Sequence, residues 1–296
     1  MITINNEKIN NSKFPDGTLM MLDFPSEIID TNSTTNIVWR YENDSELFVL
    51  YCCVRHIRNV INSRQKINLV VSYLPNSRMD RTKKNCEVFT LKYFCEIINS
   101  LNFDTVRVLD PHSNVSTALL NNVVVEDVEP YIKAAIDDVE GVGIDGGEKY
   151  GGSTVIFFPD EGAMKRYRDL KVFGDRPMVY GKKERDWATG QIKGLKICDR
   201  DGVELTTLRN YDRNGFVIVL MIDDIIAYGG TLAYSADKLR ELGANEVYAY
   251  ATHTENSVLN EEKGTLLKRL NNGTVSELFT TDSIFKGGHK NIGLVP

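Results

Sequence analysis

The sequence predicts an α/β protein of two domains, each a mostly parallel sheet flanked by helices. Short apolar runs alternate with stretches of helical period, which is the pattern of βα units. The chain is 296 residues long, a length that suits two domains of ~150 residues each. Residues 140–153, EGVGIDGGEKYGGS, hold six of the 22 glycines and separate the two series of elements.

In the first half, Ile67–Tyr73 (INLVVSY) reads as a buried strand. Thr90–Leu101 follows with apolar residues at helical spacing and Thr90 in the place of a cap. Val106–Leu109 is a further short strand that ends at Asp110. In the second half, Val155–Phe158 reads as a strand and Glu161–Leu170 as a helix with a basic face. Phe216–Ile222 gives the strongest strand pattern; Leu232–Leu242 is a helix closed by Gly243, and Val247–Ala251 is another strand. The boundary is expected near Pro130, giving domains 1–129 and 130–296, with the glycine-dense loop inside the start of the second. Lys182–Gln191 (KKERDWATGQ) is polar, lacks an apolar period and reads as a mobile loop.

Apolar residues make up 42% of the chain and charged residues 26%, which excludes disordered and fibrous classes. With 35 basic and 41 acidic side chains the net charge is −6. That balance argues against a nucleic-acid coat or a binder of anionic membranes, while leaving room for a local basic cluster that grips a small polyanion. The longest apolar runs, Leu47–Val54 and Phe216–Ile222, fall far short of the ~20 residues that span a bilayer. The polar MITINNEKINNSK stretch offers no secretory signal. Five cysteines without a CxxC pair read as reduced thiols, with Cys52 and Cys53 as core residues, and the four histidines show no zinc spacing. These features fit a cytoplasmic protein with neither nucleic-acid nor membrane partners.

The sharpest local signal is VIVLMIDDIIAYGGT, residues 217–231. A buried strand runs into Asp223 and Asp224, and then a Gly229-Gly230-Thr231 turn opens a helix. Ligands of open α/β sheets bind at the carboxyl ends of strands. The paired glycines let the backbone approach a ligand, and amides at a helix start favour an anion such as phosphate. Two carboxylates suit vicinal hydroxyls, as acceptors, or a hydrated Mg²⁺. Diol plus phosphate describes a ribose phosphate; the plain alternative is an acidic capping turn.

This motif is similar to the ribose-binding loop of phosphoribosyltransferase-fold proteins. Together with its continuation, IDDIIAYGGT with LRELGANEVYAYATH (222–253), and three further segments, YLPNSRMDRTKKNCEVFTLK (73–92), VLDPHS (108–113) and FFPDEGAMKRYRDL (157–170), it makes the chain resemble the ribose-phosphate pyrophosphokinases. The resemblance implies two type I phosphoribosyltransferase-like domains. It also implies a Mg²⁺-dependent transfer of the β,γ-diphosphoryl group of ATP to the anomeric hydroxyl of a 5-phosphorylated ribose, with release of AMP.

By the same resemblance, Arg78, Asp80 and Arg81 hold ATP, a role that suits the guanidinium fork, which binds phosphate and stacks on bases. His112 contacts the Mg·ATP phosphates, and Asp160 lies near metal and ribose. Phe14 and Asp16, in Phe14-Pro15-Asp16-Gly17, read the adenine of a neighbouring subunit, which implies a homo-oligomer (a dimer or hexamer). Lys182 and, with a one-residue shift, Arg185 are the cations of a loop that closes over the transferred phosphates, where charge stabilisation carries the rate.

The chain departs from the family pattern in four places. Thr18 stands where the family has Glu, and Glu184 stands at the place of the loop arginine. The chain ends at Pro296, ahead of the family's last amphipathic helix, which implies altered subunit contacts or feedback control. Most consequential, Ala227 and Tyr228 replace an Asp-Thr pair beside Gly229, Gly230 and Thr231. Loss of the threonine donor weakens a pocket for a terminal 5′-phosphate, and Tyr228 offers an aromatic face on which a base can stack. The expected acceptor is therefore ADP-ribose, giving an activated ADP-ribosyl donor one displacement by nicotinamide away from NAD. Ribose 5-phosphate is the ordinary alternative, and a non-catalytic regulatory relative is the alternative from another class. A phosphoribosyltransferase that consumes activated ribose would lack the SRMDR and FPDG loops.

Overall fold

The computed structural model describes residues 1–24, 34–60, 65–141, 154–185, 192–211 and 215–296. They form two compact units, Met1–Asp127 and Val128–Pro296.

The first unit opens with β1 (Ile2–Ile4) and β2 (Glu7–Lys8), followed by a separate hairpin of β3 (Asn10–Lys13) and β4 (Leu19–Asp23). After β5 (Thr35–Trp39) come α1 (Ser45–Val60), β6 (Ile67–Val70), α2 (Thr90–Ser100), β7 (Thr105–Leu109), α3 (Asn114–Leu119) and β8 (Val123–Glu126). The sheet order is β2-β1-β5-β6-β7-β8, with β5 through β8 parallel and β1 antiparallel to β5. Alternate strand residues Ile37, Trp39, Ile67, Leu69, Val106 and Val108 share one core with Leu50, Cys53 and Ile57 of α1 and with Leu91, Phe94 and Ile98 of α2. The three-and-four spacing on each helix makes that contact possible. Trp39 is buried, and its indole N–H donates to Glu46 Oε2 at 3.0 Å, so the largest core side chain keeps a polar partner.

The second unit runs α4 (Glu129–Glu140), β9 (Thr154–Phe158), α5 (Glu161–Tyr167), β10 (Met178–Arg185), β11 (Ile192–Asp199), β12 (Ile218–Ile226), α6 (Gly230–Glu241), β13 (Glu246–Thr254), α7 (Thr265–Asn271), β14 (Leu278–Thr280) and β15 (Ile292–Leu294). Its sheet order is β11-β10-β9-β12-β13-β14-β15, all parallel except the edge strand β11. Val219 and Met221 of β12 face a core with α6 and α7, while Leu220 and Ile222 face one with α4 and α5. Cover on both faces explains the unbroken apolar run that marks this strand in the sequence. The chain leaves β9 for β10 on one side and returns as β12 on the other, so strand order reverses between β9 and β12. That reversal is the topological switch point, where open α/β sheets place ligands.

Several local expectations need correction. Lys182–Arg185 is not loop but strand: it pairs with Lys196 through Ile192 in an antiparallel ladder. A polar hairpin extension carries no apolar period, so the sequence hides it. The rest of that stretch, 186–191, lies outside the described residues, as do 142–153 of the glycine-dense segment. Thr90 is the first residue of α2 rather than its cap; Phe89 holds the cap position without a side-chain bond. α5 ends at Tyr167 rather than Leu170, where the chain turns into a short 3₁₀ segment, Lys171–Phe173. β12 extends through Ile226, so Asp223 and Asp224 belong to the strand itself.

Candidate functional site

Within the second unit the carboxyl ends of β9 and β12 bring together the acidic residues singled out above. Asp160 ends the β9 segment and caps α5: its Oδ1 accepts from Gly162 N at 3.0 Å and Ala163 N at 3.1 Å. That bond fixes the acid at the sheet edge. On β12, Asp224 is 6% exposed and Asp223 half-buried, and the Asp223 carboxylate accepts from the Asp224 amide at 3.0 Å. Burial and the neighbouring Asp224 charge, with a contribution from Asp160, hold the Asp223 carboxyl well above the usual carboxylate range.

Arg166 answers part of that charge. Its Nη1 lies 3.1 Å from Asp224 Oδ2. This arginine was not singled out in the sequence, where it belongs to a basic run, Lys165-Arg166-Tyr167-Arg168, that reads as a solvated helix face. The faint signal is its spacing, nearly two turns from Asp160 on a helix starting at a strand end.

After β12 the chain passes Ala227 and Tyr228 to Gly229, whose φ of +75° turns it into α6. A Cβ at Gly229 would lie 2.3 Å from Leu266 Cβ, so both conformation and space require glycine there. Tyr228 is 41% exposed, and its carbonyl is held by Thr265 Oγ1 at 3.0 Å and Leu266 N at 3.2 Å. Backbone anchored and ring in solvent, Tyr228 can meet a ligand. Gly230 and Thr231 form the exposed first turn of α6. On the other side of β9, β10 carries exposed Lys182 just past the stretch paired with Ile156–Phe158. Arg185 ends β10.

In the first unit, β6 and β7 are parallel neighbours, and the segments that follow them hold the remaining candidates. Leu109 N donates to Ser72 O at 3.0 Å, tying the two strand ends. Arg78 and Arg81 are exposed and Asp80 half-buried, with Arg81 Nε 3.5 Å from Asp80 Oδ1. His112 is half-buried and follows Asp110, a buried non-glycine residue at φ +41°. Such strained backbone is tolerated by aspartate and recurs at functional sites. The Phe14–Gly17 segment is the tip of the β3–β4 hairpin, with Phe14 47% exposed and Gly17 at φ +86°. Thr18 donates to Asp16 Oδ1 from its amide at 2.9 Å and its hydroxyl at 2.7 Å, which lowers the Asp16 pKa. His112 lies in the first unit and Asp160 in the second.

Among the described residues no group of three or more His, Cys, Asp or Glu side chains could hold a metal ion. Asp160, Asp223 and Asp224 therefore form no ready-made cage; carboxylate oxygens are the donor type that Mg²⁺ takes one or two at a time, keeping several waters and sharing the rest with substrate phosphates. No helix among them is long and apolar enough to cross a membrane.

If Asp223 is held protonated against its neighbours, Asp223→Asn should stabilise the protein while removing activity. A raised folded pKa means stability is lost as pH rises from the ordinary carboxylate range through the folded value. The gain should therefore be absent near pH 4 and reach roughly 2–6 °C in Tm above neutrality, read by thermal unfolding across pH. A Tm at pH 8 equal to or below that of the unmodified protein would contradict the arrangement.

The fold and the acidic strand end with its Gly-Gly turn define a chain of two type I phosphoribosyltransferase-like domains. No family model matches it. It is 29% identical over 252 residues to a ribose-phosphate pyrophosphokinase of Saccharolobus solfataricus, covering 83% of this chain and 76% of that protein. It is 30% identical over 226 residues to the Bacillus subtilis protein of the same name, covering 75% of this chain and 61% of that one. A crystal structure of phosphoribosylpyrophosphate synthetase from Mycobacterium smegmatis has the same fold, with a TM-score of 0.73 at 14% identity over 97% of this chain and 85% of that one. Over most of its length the chain is similar to ribose-phosphate pyrophosphokinases.

Proposed function

We propose that the protein transfers the β,γ-diphosphoryl group of ATP to the anomeric hydroxyl of a 5-phosphorylated ribose. The anomeric oxygen attacks the β-phosphorus and the bond from that phosphorus to the α–β bridging oxygen breaks. AMP leaves with that oxygen, and the hydroxyl proton is released. The observation that carries this reading is the Asp223-Asp224 strand end beside the Gly229-Gly230 turn at the switch point of the second sheet. Asp223 and Asp224 accept from the ribose diol, the first amides of α6 take the 5′-phosphate, and Lys182 with Arg185 meets the transferred phosphates. Arg78, Asp80 and Arg81 hold the nucleotide. Mg²⁺ would supply neutralisation of phosphate charge; in the second unit Asp160 and the aspartate pair would hold it, and in the first unit His112 would meet the Mg·ATP phosphates.

The acceptor we propose is ADP-ribose. Tyr228 presents an exposed ring beside the 5′ end of the site, where Ala227 leaves room and adds no charge. Such a pocket suits a phosphodiester that carries an adenine better than a terminal dianion. The product would be an ADP-ribosyl donor activated at C1, in line with a role in NAD synthesis. AMP formation from MgATP with ADP-ribose and with ribose 5-phosphate tests both levels of the reading.

Exposed Phe14 at a hairpin tip fits a homo-oligomer in which Phe14 and Asp16 complete a neighbour's adenine site. Sedimentation of the active protein should give at least a dimer, and Phe14→Ala should raise KM for ATP by about tenfold. A fully active monomer would contradict this.

A further inference from the structure

In the β10–β11 ladder, Lys182 stands directly opposite Lys196. Residues opposed across an antiparallel pair share a face, with Cβ atoms ~5 Å apart, and like charges so placed are destabilising. One step back along the same face, Tyr180 opposes Cys198, and both are buried, at 7% and 2% exposure. The face is therefore anchored in the core, and the two ammonium groups stand where it emerges. That point is the ligand edge of the sheet. β10 runs parallel to β9, and a Cβ at Gly181 would fall 2.8 Å from the Pro159 carbonyl oxygen, one residue before Asp160.

The ion pair of Lys196 is one that ligand can replace. Lys196 Nζ lies 2.9 Å from Glu204 Oε2, and the two side chains are 39% and 52% exposed. Glu204 is brought there by its bridge to Cys198 and by Leu205 N donating to Ile197 O at 2.8 Å. A solvent-exposed pair of this kind contributes little to stability. A lysine opposite a lysine therefore adds little to folding, whereas a polyphosphate uses both cations through charge-assisted hydrogen bonds.

We propose that Lys196 is a second phosphate-binding cation of this hairpin: Glu204 holds it in the free protein and yields it to the triphosphate of ATP. The proposal rests on the ATP-dependent reading above. It divides the labour on the hairpin, with Lys196 acting in binding and Lys182 in turnover.

Three variants decide it, with MgATP binding by calorimetry in the absence of acceptor and AMP release as two separate readouts. Lys196→Gln should weaken MgATP binding and raise its KM by roughly 10- to 100-fold, as for loss of a charged hydrogen bond, with kcat changed far less. Lys196→Arg should restore most of the affinity, and Glu204→Gln should tighten binding by removing the competitor. If Lys196→Gln binds MgATP as the unmodified protein does, the proposal is overturned while the function stands. The same holds if Lys196→Gln and Glu204→Gln weaken binding alike with matching losses in Tm, which is the signature of a structural ion pair. If the unmodified protein releases no AMP with either acceptor, the functional reading fails, and the binding data still decide the role of Lys196.

Discussion

Lys182→Ala should lower kcat by roughly 10²- to 10³-fold while MgATP binding stays within about threefold, as for loss of one donor aimed at charge that develops in the transition state. Lys182 is exposed on β10 just beyond the stretch paired with β9, at the edge that carries Asp160. Phosphoryl transfer asks little covalent work of a protein; positioning and electrostatics carry it. A cation that meets the phosphates only as the bond order shifts affects rate rather than affinity. Single-turnover AMP release and equilibrium ATP binding separate the two. An unchanged kcat with weakened binding would remove Lys182 from the role given to it.

The second large effect concerns the acceptor. Replacing Ala227 with Asp and Tyr228 with Thr should shift the ratio of kcat/KM values toward ribose 5-phosphate and away from ADP-ribose by about 10²-fold or more. Pockets that hydrogen-bond their substrate reach such ratios, because a buried donor left unpaired is costly. The changes should be tolerated by the fold. Tyr228 is 41% exposed and is held through its carbonyl, so its ring does not support the core. Gly229, in contrast, has neither the space nor the backbone angle for a side chain and should be left alone. An unaltered ratio in a well-folded double variant would mean that the loop does not read the 5′ substituent.

How far the sequence revealed these features depends on how each is built. β12 was legible because helices cover both of its faces and every position from Ile218 to Ile222 is buried. The carboxylate pair and Gly-Gly turn were legible because strand end and helix start lie next to each other in the chain. The continuation of β10 through Lys182–Arg185 was not. It is held by backbone pairing to β11 beyond the core, and paired lysines look the same in a loop and in a polar hairpin. β2 was hidden likewise, since Glu7 and Lys8 are both exposed. Arg166 was missed because its partner Asp224 lies 58 positions away, and only the pairing of β9 with β12 brings α5 to it. The Lys182–Lys196 pair belongs to the same class: register, not spacing, creates it.

The most direct test of the central claim is AMP release by the purified protein with MgATP and either ADP-ribose or ribose 5-phosphate, each varied to saturation. The account predicts stoichiometric AMP and a 1-diphosphorylated sugar product, with the higher kcat/KM for ADP-ribose. A higher kcat/KM for ribose 5-phosphate would contradict the acceptor assignment, and no AMP with either would contradict the diphosphokinase itself.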